Sequence, residues 1–270
     1  MGEARNPFHW RGTVTAGDAF VGRKRELGNI FTRLQTLGCV SVVGERRIGK
    51  SSLAYQASAH VGQELGSQGR AVYIDMLSAK HHSLTGLLWA ILAGLGGRVG
   101  EVEEESSAAA MALFESEIRE LRKQGCLPVV VLDEFEALGS RTEQFGDDLL
   151  ESWRSLGNDG QMAFVTTSAR PLDELTQESG LTSSFYNIFA QVGLKEFTAE
   201  DASAFTRRAL RVGGLETADE TFITRIGQQH PLRLQVAAWH LFEARKRGDV
   251  DYGLLAEQAE AEIAGMMRAK

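Results

Sequence analysis

The chain has 270 residues, of which 43% are hydrophobic and 24% are charged, and these fractions are typical of a folded globular protein. The formal net charge is −7, from 29 Lys and Arg against 36 Asp and Glu, so the overall charge favours neither nucleic acid nor an anionic membrane as the partner. Residues 1–12 contain no apolar signal region, and no uncharged apolar stretch is long enough to span a bilayer, so we expect a cytoplasmic protein.

Short β-branched runs alternate with segments of helical spacing in the first two thirds of the chain. The runs are almost continuously apolar, which is typical of strands that are covered on both faces of a parallel sheet. The predicted strands are 39–43, 71–75, 129–133, 163–168 and 188–194. The predicted helices between them are 23–37, 50–65, 84–95, 107–124 and 144–157. The acidic cluster at 101–107 predicts a solvated loop. This alternation predicts an α/β fold built from βαβ units.

After residue 195 only helical patterns follow. They cover 198–212, 218–228, 232–247 and 252–267. Thr198, which is followed by Glu200 and Asp201, is a predicted helix N-cap. The sequence therefore predicts an N-terminal extension at 1–19, an α/β core at 20–195 and a small all-helical domain at 196–270.

The stretch GERRIGKS at residues 44–51 matches the phosphate-binding pattern GxxxxGK[ST], and it lies between a predicted strand and a predicted helix. Backbone N–H groups in such a loop form a concave nest for phosphate oxygens at a helix N-terminus. The predicted nucleotide-binding residues of the loop are Gly44, Arg47, Ile48, Gly49, Lys50, Ser51 and Ser52. Lys50 is predicted to reach the β and γ phosphates, and Ser51 to supply an oxygen ligand to Mg²⁺.

The run VVVLDEFE at residues 129–136 ends a predicted strand in two adjacent acids. Unpaired carboxylates are costly to bury, so a metal ion with phosphates is their natural partner. We expect Asp133 to hold Mg²⁺ and Glu134 to polarise the water that attacks the γ-phosphate. The alternative is a strand that ends in solvated surface acids.

The run AFVTTSAR at residues 163–170 ends in polar side chains. Ser168 and Arg170 are candidates for contact with the γ-phosphate, because a guanidinium forms bidentate bonds with phosphate. The alternative is that the hydroxyl caps a turn and Arg170 faces solvent.

With these motifs in this order, the chain resembles the AAA+ and STAND branch of P-loop ATPases. FVGRKREL (20–27), preceded by NPF (6–8), is similar to the segment that leads into the phosphate loop in that branch, and GERRIGKSSL is similar to the loops of prokaryotic STAND and archaeal-type ATPases. The resemblance implies a five-stranded parallel sheet in the order 5-1-4-3-2, followed by a helical lid. It also implies that the backbone around Val21, Gly22 and Arg23 borders the adenine. QHPLRL (229–234) then takes the place of the lid motif, with Pro231 near the base.

The resemblance implies an ATP-binding and ATP-hydrolysing switch with ATP and Mg²⁺ as cofactors, which alternates between ATP and ADP forms. It also implies a nucleotide-dependent homo-oligomer and a protein partner or effector that acts in trans. Two alternatives stay open: a DNA-associated ATPase of the replication-initiator or transposition-helper kind, which the acidic balance disfavours, and a scaffold that binds ATP without turnover. A trans-acting arginine finger is not resolved among four candidates, Arg141, Arg154, Arg207 and Arg208.

Overall fold

The computed structural model describes residues 5–99 and 106–268. Five strands form one sheet in the order β2-β3-β4-β1-β5, and every neighbouring pair is parallel. Strands β1 to β5 are Cys39–Gly44, Gly69–Asp75, Leu127–Asp133, Ala163–Ser168 and Phe189–Leu194. The α/β class and the strand order that the resemblance implied are confirmed.

Eleven α-helices lie in the part of the chain that the structure describes. Helices α1 to α6 are Lys24–Leu34, Lys50–Glu64, Leu84–Leu95, Ser107–Lys123, Glu136–Gly139 and Asp147–Asn158. Helices α7 to α11 are Leu172–Glu178, Ala199–Gly213, Asp219–Gly227, Pro231–Arg247 and Tyr252–Arg268. The predicted long helices are confirmed, while the short α5 and α7 were not predicted. Residues 101–105 of the acidic cluster lie outside the described residues. Within the described ranges, no helix has both the length and the apolar character needed to cross a bilayer.

One compact unit, the sheet unit, comprises residues 25–44 and 53–194. The three inner strands, β3, β4 and β1, are largely buried, as their apolar runs predicted, whereas the two outer strands, β2 and β5, are only partly buried. An aromatic cluster lies in its core: the Trp153 and Phe164 rings have centroids 5.2 Å apart, and those of Phe164 and Phe185 are 5.4 Å apart. Burial of each such side chain stabilises the fold by roughly 2 kcal/mol.

The second compact unit, the helical unit, comprises the described residues of 1–24, 45–52 and 195–270. Phe8 is buried in its core, where its ring centroid lies 6.4 Å from that of Phe205 and 6.3 Å from that of Phe242. The Thr198 hydroxyl accepts a hydrogen bond from the backbone N of Asp201 at 3.1 Å, which confirms the predicted N-cap of α8. The described part of the N-terminal segment therefore shares a core with helices α8 to α11.

Candidate nucleotide-binding site

The phosphate loop, residues 45–49, connects β1 to α2. Lys50 is the first residue of α2, a 15-residue helix. Arg47 and Gly49 adopt left-handed backbone conformations, with φ values of 64° and 98°. Alternation of right-handed and left-handed residues turns successive N–H groups toward one centre, and the helix dipole adds positive potential there. The loop therefore has the backbone form of an anion-binding nest.

Lys50 is held against the backbone of its own loop. Its side chain is only 5% exposed, and its Nζ donates a hydrogen bond to the carbonyl oxygen of Glu45 at 3.0 Å. A buried ammonium gains more from a nearby anion than a solvated one, because less water screens the attraction. Lys50 thus supplies a positive charge at the loop.

Arg23 contacts the phosphate loop from the lead-in segment, residues 5–24. It is 3% exposed, and its Nη2 donates to the carbonyl oxygen of Ile48 at 3.1 Å. The guanidinium carbon also lies 4.7 Å from the ring centroid of Phe197, the residue just before Thr198. In addition, the backbone N of Val14 donates to the Ser52 hydroxyl at 2.9 Å. These residues therefore contact the end of the loop and the first turn of α2.

Gly22 lies in a place where only glycine fits. Its φ is 75°, and a Cβ built on it would lie 2.8 Å from Cγ of Asp201 on α8. Nearby, Arg208 of α8 donates through Nε to the carbonyl oxygen of Asp18 at 2.6 Å. The backbone at Asp18 and Gly22 thus lies close to the side chains of Arg208 and Asp201 on α8.

Pro231 is the first residue of α10, where its missing N–H costs nothing. His230 is the N-cap, because its Nδ1 accepts from the backbone N of Leu232 at 3.2 Å. Burial lowers the pKa of His230, which keeps its imidazole neutral near pH 7. Except for Gly44, the predicted nucleotide-binding residues belong to the helical unit: Val21, Gly22, Arg23, Arg47, Ile48, Gly49, Lys50, Ser51, Ser52 and Pro231.

Asp133 is the last residue of β3 and is 4% exposed. Its Oδ1 accepts a hydrogen bond from the Thr167 hydroxyl, and its Oδ2 accepts one from the Tyr73 hydroxyl at 2.5 Å. Within the part of the chain that the structure describes, Asp133 makes no ion pair. Hard carboxylate oxygens are the ligands that Mg²⁺ prefers. The donor chemistry at Asp133 therefore fits the predicted metal.

Glu134 begins the turn after β3 with a φ of 57°, a strained conformation for a residue with a side chain. Its backbone N donates to the Thr167 hydroxyl at 3.0 Å, and the backbone N of Phe135 donates to the Thr167 carbonyl oxygen at 2.9 Å. Thr167 therefore contacts both the carboxylate of Asp133 and the turn at Glu134.

Ser168 and Arg170 have partners within the sheet unit. Ser168 is fully buried, and its hydroxyl donates to the carbonyl oxygen of Arg170 at 2.6 Å, which closes the turn after β4. The Arg170 guanidinium forms a bidentate pair with Glu178, and this pairing holds the pKa of the Glu178 carboxyl below its usual range. The predicted roles of Ser168 and Arg170 toward a γ-phosphate remain predictions.

Sequence reasoning did not select Thr167 or Tyr73. The available signals were the second hydroxyl in TTS and the polar tip of Tyr73 in the run AVYID. Strand β3 lies between β2 and β4, so residues from both neighbours reach its carboxyl end. The parallel pairing places the carboxyl ends of β3, β4 and β1 side by side at the same end of the sheet, and β1 ends there at Gly44.

The parallel sheet and the phosphate loop define a P-loop NTPase fold. The sequence model of a family described as an AAA domain matches residues 33–176, more than half of the chain, and the chain belongs to this family.

Three solved structures share the fold. The Walker-type ATPase PABY2304 of Pyrococcus abyssi matches with a TM-score of 0.68 and 16% identity, over 95% of this chain and 76% of that chain. The ORC2 protein of Aeropyrum pernix in ADPNP–ADP complexes matches with a TM-score of 0.68 and 14% identity, over 94% and 71%. Domain III of the replication initiation protein DnaA of Thermotoga maritima matches with a TM-score of 0.61 and 16% identity, over 93% and 98%. No curated protein matches this sequence.

Proposed function

We propose that this protein binds ATP with Mg²⁺ and hydrolyses it, and that it acts as a STAND or AAA+ switch. The phosphate loop supports the proposal most directly, because its left-handed residues, its buried lysine and the helix behind it form an anion site. The similarity in fold to ATPases and to an ADPNP–ADP complex agrees with a nucleotide as the anion.

In this proposal the phosphates lie on the loop N–H groups and against Lys50. Ser51 and Asp133 are the residues that hold Mg²⁺, and the bound ion would neutralise charge on the phosphate oxygens. Glu134 orients the attacking water and accepts its proton. The buried carboxylate of Asp133 and the strained turn at Glu134 support these two roles.

The remaining predicted residues recognise the base and distinguish ATP from ADP. Val21, Gly22, Arg23 and Pro231 border the adenine, while Ser168 and Arg170 contact the γ-phosphate. Because ADP lacks that phosphate, ATP and ADP stabilise different conformations, and differential affinity is what drives a switch. We propose that the ATP form assembles into a homo-oligomer and controls a partner protein in trans.

Mass measurement in solution without nucleotide, with ADP and with ATP tests the switch. We expect assembly with ATP in the wild-type protein and its loss in Lys50→Ala, since the ammonium that pairs with the phosphates is removed. Lys80→Ala removes an exposed lysine of the sheet unit and is the matched control. Equal masses for the wild-type protein in all three conditions contradict nucleotide-driven assembly.

Single-turnover hydrolysis separates catalysis from binding. Glu134→Gln keeps the size and the hydrogen-bonding capacity of the side chain but removes the base, so we expect ATP binding to persist and hydrolysis to fall at least about a hundredfold. A wild-type protein that binds ATP and does not turn it over would instead be a nucleotide-locked scaffold.

A DNA-associated ATPase is the second candidate function, because two of the similar structures are initiator proteins, ORC2 and DnaA. The net charge of −7 disfavours it. Duplex DNA binding measured in the presence of ATP at several salt concentrations decides between the two. A steep loss of affinity with salt supports DNA association, because released counterions report phosphate contacts, and no binding supports a protein-directed switch.

A further inference from the structure

We propose that Tyr73 is a positioning residue for the metal-binding carboxylate of Asp133. The inference rests on the proposed function, because it concerns how the same site takes its metal ion. Tyr73 lies on β2, the strand at one edge of the sheet, and it belongs to neither the phosphate loop nor the acidic motif.

The register of the sheet brings the Tyr73 hydroxyl to Asp133. Tyr73 pairs with Val131, and Asp75 pairs with Asp133, so Tyr73 begins two residues behind the end of the neighbouring strand. The long phenol side chain spans that offset, and its hydroxyl donates to Asp133 Oδ2 at 2.5 Å. A shorter side chain at the same position would not reach the carboxylate.

Tyr55 of α2 restricts the Tyr73 ring. The two ring centroids are 5.6 Å apart and the planes meet at 70°, an edge-to-face contact of the kind that aromatic pairs favour. Both residues belong to the sheet unit. The Tyr73 hydroxyl is thus held in one place by packing on its ring.

The two carboxylate oxygens of Asp133 have separate donors. Thr167 on β4 donates to Oδ1 and Tyr73 on β2 donates to Oδ2, so the carboxylate accepts hydrogen bonds from both strands that neighbour β3. Each carboxylate oxygen has two lone pairs, and one hydroxyl uses only one of them. The other lone pair of each oxygen can therefore bind a metal ion, and the two hydrogen bonds fix its direction.

Hydroxyl donors suit a metal ligand better than cationic donors would. An arginine or lysine at Tyr73 would orient Asp133 but would also cancel the charge that attracts the ion. A neutral phenol orients the carboxylate without placing a positive charge beside it. Donors behind the direct metal ligands commonly change metal affinity by tenfold or more when they are removed.

The experiment measures metal affinity apart from hydrolysis. The wild-type protein and Tyr73→Phe are saturated with ATPγS, MnCl₂ is added, and free Mn²⁺ is quantified by electron paramagnetic resonance. Affinity for ATPγS in EDTA is measured by calorimetry. We expect about a tenfold higher Mn²⁺ dissociation constant in Tyr73→Phe, with unchanged affinity in EDTA. Tyr55→Phe removes the neighbouring hydroxyl and is expected to match the wild-type protein.

A double variant tests whether Tyr73 acts through Asp133. If it does, Tyr73→Phe combined with Asp133→Asn weakens Mn²⁺ binding no more than Asp133→Asn alone, whereas independent effects would add. An unchanged Mn²⁺ constant in Tyr73→Phe, or additive losses, overturns the role of Tyr73 while leaving the proposed function intact. Failure of the wild-type protein to bind ATPγS overturns both.

Discussion

Arg23 offers a quantitative test of how the lead-in segment supports the phosphate loop. Arg23→Met keeps the apolar stem but removes the bond to the Ile48 carbonyl oxygen and the contact over the Phe197 ring. A hydrogen bond from a charged donor contributes roughly 1.5–3 kcal/mol, and a desolvated cation–π contact about 1–2 kcal/mol. We therefore expect the free energy of unfolding to fall by about 3 kcal/mol. Because the φ of 62° is equally strained for methionine, the backbone adds nothing to the difference.

Urea unfolding of the full chain measures this loss, and calorimetry with ATP measures its consequence for the loop. We expect ATP to bind about tenfold more weakly, which corresponds to roughly 1.4 kcal/mol, because the Ile48 peptide loses the tether that fixes the neighbouring N–H groups. Arg25→Met, at an exposed position on α1, is the control and should change stability by less than about 0.5 kcal/mol. Equal losses in Arg23→Met and Arg25→Met would refute the supporting role of Arg23.

Two further predictions concern the helical unit: one tests a buried carboxylate, and the other tests the contact between Gly22 and α8. Burial acts to raise the pKa of Asp219, but hydrogen bonds from Arg245, Tyr252 and a backbone N–H outweigh it and hold that pKa below its ordinary value. The ionised Asp219 carboxylate therefore stabilises the folded protein fully above about pH 4, and this stabilisation is lost as the pH falls through the lowered pKa. We expect the difference in unfolding free energy between the wild-type protein and Asp219→Asn to become smaller in acid. Gly22→Ala combines a left-handed φ with a 2.8 Å approach to Asp201, whereas Gly180→Ala, with a φ of 72° and no atom within 4 Å, has only the backbone strain. Gly180→Ala should lose about 1 kcal/mol and Gly22→Ala distinctly more in thermal unfolding, and similar losses would mean that the contact with α8 contributes nothing.

The motifs could be predicted because their information is local. A continuously apolar run followed by GxxxxGKS specifies a strand, a loop and a helix within a short stretch of chain, and the structure has β1, the loop and α2 in those places. The observed helix ends differ from the predicted ones by a few residues, because helix ends depend on contacts that the periodic pattern does not contain. The strand order came from resemblance to a family, because periodicity alone does not specify which strands are neighbours.

The choice among neighbouring hydroxyls could not be made from the sequence. Thr167 and Ser168 are adjacent in a strand, so their side chains point to opposite faces of the sheet, and the sequence pattern does not reveal which of them shares a face with Asp133. The structure gives the answer: Thr167 donates to Asp133, while Ser168 closes the turn at Arg170. Which of the two hydroxyls contacts Asp133 thus depends on the register between β3 and β4.

The sequence by itself determined the class of this protein: an α/β chain with a phosphate loop, an acidic strand end and a helical C-terminal region, all of which follow from local pattern and residue chemistry. Only the tertiary structure decided which distant side chains support those motifs. Tyr73 reaches Asp133 because β2 pairs with β3 at one register, and Arg23 reaches Ile48 because the chain brings residues 5–24 together with 45–52. Contacts between residues far apart in the chain depend on how folded elements pack, and that packing is a property of the whole fold, not of any short stretch.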